Sequence, residues 1–562
     1  MNNKNAETKF NIVVFVSFII VIFLIFGLRL FQIGVVNKVN DVALSPMDYK
    51  ETQLRSSNLP KQRGSILDAK DRPIAVDATS YSIYANVNPD SQDSVQDIDQ
   101  TARVLSEVLS LSVDEVIQIL KTPGASQVEF GTEGQGLSLE QKRLIEQAEL
   151  SGIYFTEHPD RHYTNDYFAS HLIGYTAPEQ GEESEQENAE NRGQMGIEYA
   201  YDDLLNDYQI NEGENGLASG RNIRLTIEGN LQSVLEDLIQ QSYLRYAPKN
   251  ISAYLVEVES GRLLTAAQRP SFNLNTLDGI ETEWRNLLVE NVYEPGSTIK
   301  ILTTAIAYEM GIVKPTDRFL SGEIDLYGTT VRDYNLTGWG QITYDQGLIH
   351  SSNVGVARLV EMMGVEAWQE ALARFGFGQT TDSGLPNENA GTITFDNPVS
   401  TIMSGFGQGL LTSPIQLLQA YSSIGNEGRM MKLQYIDQIQ GREKTAPIVL
   451  QDEISPEVAN HILEVMVQTV QDPNGTAQDF NHEKVRVAAK TGTAQIADPN
   501  GNGYLTGEND YYFSVISFFP AEDPKYMLYI SMQQPSTPGN KTGSQIISEL
   551  FHPFVDYVLI ND

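Results

Sequence analysis

Tyr293-Glu-Pro-Gly-Ser-Thr-Ile-Lys300 decides how this chain is read, together with two shorter stretches further on, Ser351-Ser-Asn353 and Lys490-Thr-Gly-Thr493. Pro295-Gly296 ends a loop, and Thr298 to Met310, rich in Ile, Leu and Ala, reads as a helix with Ser297 at its first turn. Residues three apart on a helix share a face, which sets Lys300 beside the Ser297 hydroxyl. The unpaired N–H groups of a helix N-terminus favour developing negative charge there. A serine hydroxyl is a poor nucleophile until a base takes its proton. No histidine is placed for that task, so a lysine is the expected base. The apolar neighbours Ile299, Ile301 and Leu302 imply burial, which disfavours the ammonium and makes Lys300 a usable base near neutral pH.

The other two stretches supply what such a serine needs. Ser351 offers a second hydroxyl that can relay a proton, and the Asn353 amide both donates and accepts hydrogen bonds. His350 beside them is read as structural. Val485 to Ala497 reads as a strand carrying Lys490, Thr491, Gly492 and Thr493. A glycine inside a strand permits close approach of another backbone, so a peptide can pair along this edge. The lysine and the threonine hydroxyls suit a carboxylate. Taken singly, each stretch has a plain structural reading: a capping serine, a second helix cap, an exposed strand. Their wide spacing is compatible with one α/β domain whose site lies between a helix and a sheet edge.

The 562 residues allow two or three domains with sizeable cores. The absence of cysteine removes disulfides, thiolate nucleophiles and cysteine-ligated metals. With 74 acidic against 38 basic residues the net charge is −36, the wrong sign for nucleic acid, which is excluded as a partner. No HExxH pairs two of the 7 histidines on a helix, and no metal or cofactor is expected. Asp498-Pro-Asn-Gly-Asn-Gly503 copies the start of a calcium loop. Its twelfth position is Asn509 instead of glutamate, and strands flank it, so a hairpin turn is the better reading.

Ile12 to Leu28 form an apolar run that, with Leu30 and Phe31 counted, reaches the roughly 20 residues a bilayer core demands. Arg29-Leu-Phe-Gln-Ile after it has no small-residue cleavage pattern, so an uncleaved anchor is expected over a signal peptide. Lys4 and Lys9 before the span are balanced by Arg29 and Lys38 after it, and charge does not set the orientation. The expected organisation is a tail at 1–11, an anchor at 12–31, a non-catalytic region at 32–245 and a catalytic region at 246–562. Ile33 to Asp48 reads as an amphipathic stalk, and Asp97 to Lys121 as one or two helices. The six glutamates of 179–190 read as a surface loop. Ile251 to Glu259 and Arg262 to Ala267 read as strands joined at Ser260-Gly261.

Taken together the motifs resemble the active-serine signature of class B penicillin-binding proteins, the monofunctional peptidoglycan D,D-transpeptidases, in the form found in division-type members of Gram-positive bacteria. Gly405-Phe-Gly-Gln-Gly409 with Thr412, Pro414 and Gln416 is similar to a further hallmark of that family. Arg63-Gly-Ser-Ile-Leu-Asp68 and Gly196-Ile-Glu198 with Tyr201 resemble motifs of its non-catalytic pedestal. The resemblance implies a multidomain α+β chain: a transmembrane helix, an extended mixed α/β pedestal of the dimerisation type, and a serine β-lactamase-like domain with an antiparallel sheet flanked by helices. It implies that Ser297 is acylated, Lys300 is the general base, and Ser351 passes the proton to the leaving D-alanine. Asn353 then orients the peptide, Lys490 supports the electrostatics, and Thr491 and Thr493 hold the terminal carboxylate, with Gly492 between them in the substrate-binding strand. Backbone N–H groups of Ser297 and Thr493 form the oxyanion hole. The implied partners are D-Ala-D-Ala stem peptides, β-lactams and a membrane glycan polymerase of the division machinery, with the catalytic domain outside the membrane.

The chain departs from the family pattern in two places. Arg161-His-Tyr-Thr164 carries threonine where the pedestal motif has proline, and Tyr334 stands where relatives often have tryptophan. Two alternatives remain open from sequence. One is a D,D-carboxypeptidase or β-lactamase, in which water is the acceptor. The other is a β-lactam sensor or division scaffold with a vestigial site.

Overall fold

The computed structural model describes residues 61–178, 191–210 and 218–562, save positions 394, 396 and 502, together with Lys38–Val39 and Val42–Ala43. The apolar run 12–31, most of the stalk 33–48 and the glutamate-rich run 179–190 lie outside the described residues. Among the described residues no helix is long and apolar enough to cross a membrane.

The chain divides into two compact units, Met1–Gln62 with Tyr208–Ser219, and Arg63–Asp207 with Gly220–Asp562. The first holds short pairings: Lys38–Val39 with Val42–Ala43, and Ala218–Ser219 between Gln209–Ile210 and Lys61–Gln62.

The second unit begins with a six-stranded sheet built from β1 (Ile66–Leu67), β2 (Pro73–Asn86), β3 (Gln127–Glu129), β4 (Ile153–Tyr163) and β5 (Ile223–Leu225). Residues Ile436–Ile439, from far along the chain, pair with β5 and complete it. Ser82–Asn86 is the end of the 14-residue β2, which pairs along β4 from Ala75 to Ala85. The expected helical stretch is two helices, Ile98–Val108 and Val113–Leu120, each started by a side-chain cap, Asp97 and Ser112.

The motifs that resemble pedestal signatures meet inside this region as buried ions. Glu198 accepts from Arg63 Nε and Arg161 Nε, both at 2.8 Å. Arg63 also reaches Asp202 at 2.6 Å and Arg161 reaches Asp77 at 3.1 Å. Residues distant in sequence are thereby tied through one carboxylate, and taking away one partner would leave buried charge uncompensated. Thr164, in place of proline, donates its hydroxyl to Pro73 O at 2.7 Å, so the departure is absorbed by one hydrogen bond.

The rest of the unit is a five-stranded antiparallel sheet with helices on both faces. The elements that build it and the site are α1 (Gly229–Tyr246), β6 (Asn250–Glu257), β7 (Arg262–Arg269), α2 (Lys300–Glu309), β8 (Glu323–Leu326), β9 (Thr329–Arg332), α3 (Asn353–Met363), α4 (Pro456–Gln471), β10 (Ala488–Gln495), β11 (Tyr511–Phe519), β12 (Tyr526–Gln533) and α5 (Gly543–Asn561), of which β8 and β9 pair only with each other as a two-stranded arm. The sheet order is β7-β6-β12-β11-β10. The alternation read in β6 sorts side chains between two cores. Ile251, Ala253 and Leu255 pack with Leu235 and Ile239 of α1 and Phe551 and Phe554 of α5. Tyr254 and Val256 face the other way, into the core that holds Ile299, Ile301 and Leu302. With both faces covered, β6 is buried almost throughout. The turn at Ser260-Gly261 is present, and β7 runs two residues further than expected.

Candidate active site

Three elements converge. The first turn is tighter than expected: Gly296–Ile299 is a 3₁₀ turn, and the α-helix proper, α2, starts at Lys300. Gly296 has φ +57°, and a Cβ there would lie 2.8 Å from Thr493 O. Gly407 of the Gly405–Gly409 loop backs onto the same glycine, since a Cβ on it would meet Gly296 O at 2.3 Å. Only glycines let three backbones close around the Ser297 turn in this way. Thr298 is fully buried and donates to Pro295 O at 2.9 Å. Tyr293 stacks on Tyr512, donates or accepts through its hydroxyl at Tyr529, and bridges to Thr412, which holds the turn onto the sheet.

Ser351 and Asn353 come from the start of α3. Ser352 caps that helix, accepting from Gly355 N at 3.0 Å. Ser351 just before it is left-handed, φ +58°, a costly conformation for a residue with a side chain. It throws both its carbonyl and its hydroxyl toward α2.

Lys490 comes from β10, the last strand of the sheet, whose outer edge is unpaired among the described residues. Lys490, Gly492 and Ala494 are buried on one pleat face. Thr491 and Thr493 alternate to the other, where Thr491 is half-buried and Thr493 exposed. On its buried face Gly492 admits the chain itself. A Cβ on Gly492 would lie 2.5 Å from Ser514 Oγ, 3.0 Å from Thr298 Cγ2 and 3.1 Å from Pro295 O. Gly492 is therefore what lets the Ser297 turn sit against the strand.

Both lysines are buried, and Ser351 stands between them. Lys300 Nζ donates to Ser351 O and to Asn353 Oδ1, each at 2.7 Å, and lies 3.2 Å from Ser351 Oγ. Lys490 Nζ donates to Ser351 Oγ and Thr491 O, both at 3.0 Å. Burial, then the neighbouring Lys490 charge, hold the Lys300 amine well below its ordinary range, against the pull of Asp333. Burial alone pushes Lys490 down to about 7. Neither lysine reaches the surface. Lys300 does not hydrogen-bond Ser297 directly, although one helical turn separates them; its nearest partners are on the Ser351 turn.

Some residues that shape the site carried no sequence signal. Asp333 is buried and accepts from Ser352 Oγ at 2.8 Å and Val354 N at 3.1 Å. Glu294, inside the serine motif, accepts from Gly409 N at 2.8 Å and from the Tyr504 hydroxyl at 3.1 Å, joining the glycine loop to the hairpin after β10. That hairpin is the calcium-loop look-alike. Ala497 bridges Tyr504, and Asp498 N reaches Gly503 O at 3.0 Å. His350 is a packing residue, stacked on Trp339 with centroids 5.0 Å apart. Tyr334 is largely exposed and meets Trp339 edge-on.

Residues 251–556 match the family model described as the penicillin binding protein transpeptidase domain. This chain belongs to the penicillin-binding protein transpeptidase family. Residues 58–223 match the penicillin-binding protein dimerisation domain, so the chain has a multidomain α+β architecture with dimerisation and transpeptidase domains. Among curated relatives, stage V sporulation protein D of Bacillus subtilis is 29% identical, with 95% of this chain and 83% of that one covered. The peptidoglycan D,D-transpeptidase FtsI of Escherichia coli is 26% identical over 90% of this chain and 84% of its own. The crystal structure of penicillin binding protein 2X from Streptococcus thermophilus superposes with a TM-score of 0.75 at 28% identity, covering 89% of this chain and 80% of that one. As a member of this family the chain is a serine-type acyl-transfer enzyme.

Proposed function

We propose that this penicillin-binding protein is a membrane-anchored peptidoglycan D,D-transpeptidase that cross-links stem peptides through an acyl-enzyme on Ser297. The observation that carries the reading is one hydroxyl, Ser351 Oγ, held between two buried amines at 3.0 and 3.2 Å beside the Ser297 turn.

A neutral lysine has two N–H bonds and one lone pair. Two short bonds to Ser351 O and Asn353 Oδ1 occupy both N–H groups of a neutral Lys300, which leaves its lone pair to take a proton. In this reading Ser297 Oγ attacks the carbonyl of the penultimate D-alanine as Lys300 removes its proton. The oxyanion settles on the backbone N–H groups of Ser297 and Thr493. Ser351 then hands a proton to the leaving amine and is reprotonated along the Lys490–Ser351–Lys300 chain. Thr493, exposed on the edge strand, and Thr491, whose hydroxyl donates to Thr476 O at 3.2 Å, receive the terminal carboxylate, next to Gly492. Asn353 orients the peptide, and an amine from a neighbouring strand attacks the ester. The dry surroundings of both lysines support this assignment, since each amine is cheaper to neutralise there than in water.

The wider assignment is a pedestal at 32–245, a catalytic region at 246–562 and a single anchor at 12–31, with the catalytic region outside the cytoplasmic membrane where stem peptides lie. A membrane glycan polymerase of the division machinery is the proposed partner, bound through the pedestal. Co-purification that persists in Ser297→Ala and is lost on pedestal deletion is the expected result.

Labelling the full chain with a fluorescent penicillin tests the central assignment. Wild type is labelled and Ser297→Ala is not. Equal labelling of the two overturns it. Transfer to an amine is separated from hydrolysis by the products: cross-linked dimer identifies a transpeptidase, whereas free D-alanine without dimer identifies a carboxypeptidase.

A further inference from the structure

We infer that Asp333 is a positioning residue for the acyl-transfer site, its carboxylate clamping the Ser351–Asn353 turn to the β8–β9 arm and standing as the negative charge across from Lys300. This rests on the assignment of Ser297 and Lys300 made above and deepens it.

Asp333 directly follows β9 and is almost wholly buried, at 1% exposure. Its Oδ1 accepts from Ser352 Oγ at 2.8 Å and from Val354 N at 3.1 Å, both at the N-terminus of α3. Its Oδ2 accepts from Gly322 N at 2.8 Å, and its own N–H returns to Gly322 O at 2.8 Å, closing the base of the β8–β9 arm. One residue earlier, Arg332 O accepts from Asn353 Nδ2 at 2.9 Å. The two sides of the Asn353 amide therefore tie Lys300 to the arm, and Asp333 ties the next residues on either side of Asn353 to it.

A helix cap alone does not call for this. Ser352 already caps α3 through Gly355 N. The additional feature is Ser351, whose left-handed backbone must be held by its neighbours to persist. A buried carboxylate gripping Ser352 and Val354 fixes the turn just after Ser351. The Ser351 carbonyl and hydroxyl then keep their places at Lys300, and the hydroxyl its place at Lys490.

The charge matters as well as the hydrogen bonds. The charged groups on the elements around Asp333 are Lys300 and Glu309 on α2, Glu323 and Asp325 on β8, Arg332 on β9, Arg358 and Glu361 on α3, and Lys490 on β10. Arg332 turns outward to Glu323 at 3.1 Å, and Arg358 acts on Tyr344. The Tyr334 phenol, though largely exposed, is partly desolvated by its neighbours and is pushed up by that desolvation and by the Asp333 charge. Of the two active-site amines, it is Lys300 on which the Asp333 charge acts, drawing its proton affinity up against burial and Lys490. Removing that charge should leave a base that is free at lower pH and held less firmly.

The test is the pH profile of the fluorescent-penicillin acylation rate on the full chain, for wild type, Asp333→Asn and Ser352→Ala, with Ser297→Ala as the blank. In Asp333→Asn the plateau is expected to fall about tenfold, because the amide cannot accept from both Gly322 N–H and the α3 turn. The acid limb is expected to move about one pH unit lower. Ser352→Ala keeps the charge, so its plateau falls while its acid limb stays in place. Should Asp333→Asn not fold, Asp333→Ser, which keeps an acceptor and fits the space, carries the same expectation. An acid limb that does not move in the neutral variant overturns the inference, whether or not the plateau falls. Labelling of Ser297→Ala at the wild-type rate would instead overturn the assignment beneath it.

Discussion

Replacing Lys490 with methionine separates what this amine does for catalysis from its effect on stability. The side chain has no solvent exposure, and burial pushes the amine down to about 7. The folded chain therefore binds this proton less well than the unfolded chain, in which a lysine keeps it to about pH 10. Below pH 7 both states are protonated, and the folded state carries the whole cost of a buried charge. Between about pH 7 and pH 10 only the unfolded chain holds the proton, and the cost fades as pH rises. At about 1.4 kcal/mol per pH unit, that cost is about 5 kcal/mol at pH 6 and about 2 kcal/mol at pH 9. Methionine removes it together with two hydrogen bonds, to Ser351 Oγ and Thr491 O, worth about 1 kcal/mol each. The variant should be more stable than wild type by about 3 kcal/mol at pH 6, level with it near pH 9 and less stable above. Acylation by fluorescent penicillin should fall by a factor of about 100 or more throughout, as the relay through Ser351 loses one end. Thermal unfolding of the full chain in detergent from pH 6 to pH 10, with acylation rates on the same samples, reads both effects. A methionine variant that is less stable than wild type at pH 6 would refute the reasoning, because the buried amine would then be compensated rather than strained.

Gly492→Ala should slow acylation and lower the unfolding temperature, because its methyl would press on Ser514 Oγ, Thr298 Cγ2 and Pro295 O. Overpacking of this kind costs about 1–3 kcal/mol, and a wild-type acylation rate would show that the Ser297 turn does not depend on that contact. Glu198→Gln should destabilise the chain by about 3–5 kcal/mol by leaving Arg63 and Arg161 short of a buried charge. Protein that remains folded at low temperature should be acylated at the wild-type rate, as measured by a labelling time course; a slowed rate would assign the ion cluster a catalytic role.

The division of labour between sequence and tertiary structure is visible residue by residue. Sequence alone determined the chemistry: a serine and a lysine three apart at a helix start, a second hydroxyl and an amide at another, and a lysine on a glycine-containing strand. It determined these because helix and strand periodicities are local, and the motifs keep residue type and spacing together. It also placed the strands β6 and β7 and the helices within 97–121 to within a few residues. Tertiary structure decided what each group touches. Lys300 turned out to bind the Ser351 turn rather than Ser297, because a left-handed Ser351 aims its carbonyl inward. Gly492 serves the chain's own fold, because the Ser297 turn packs on that strand. The pedestal motifs proved to be one buried ion cluster, joined across more than a hundred residues by Glu198. Asp333 carried no signal, since a single aspartate in a loop reads as solvent-exposed until the α3 turn closes over it. Depressing the lysine proton affinities likewise required the whole core, because desolvation depends on every neighbour and not on the adjacent residues alone.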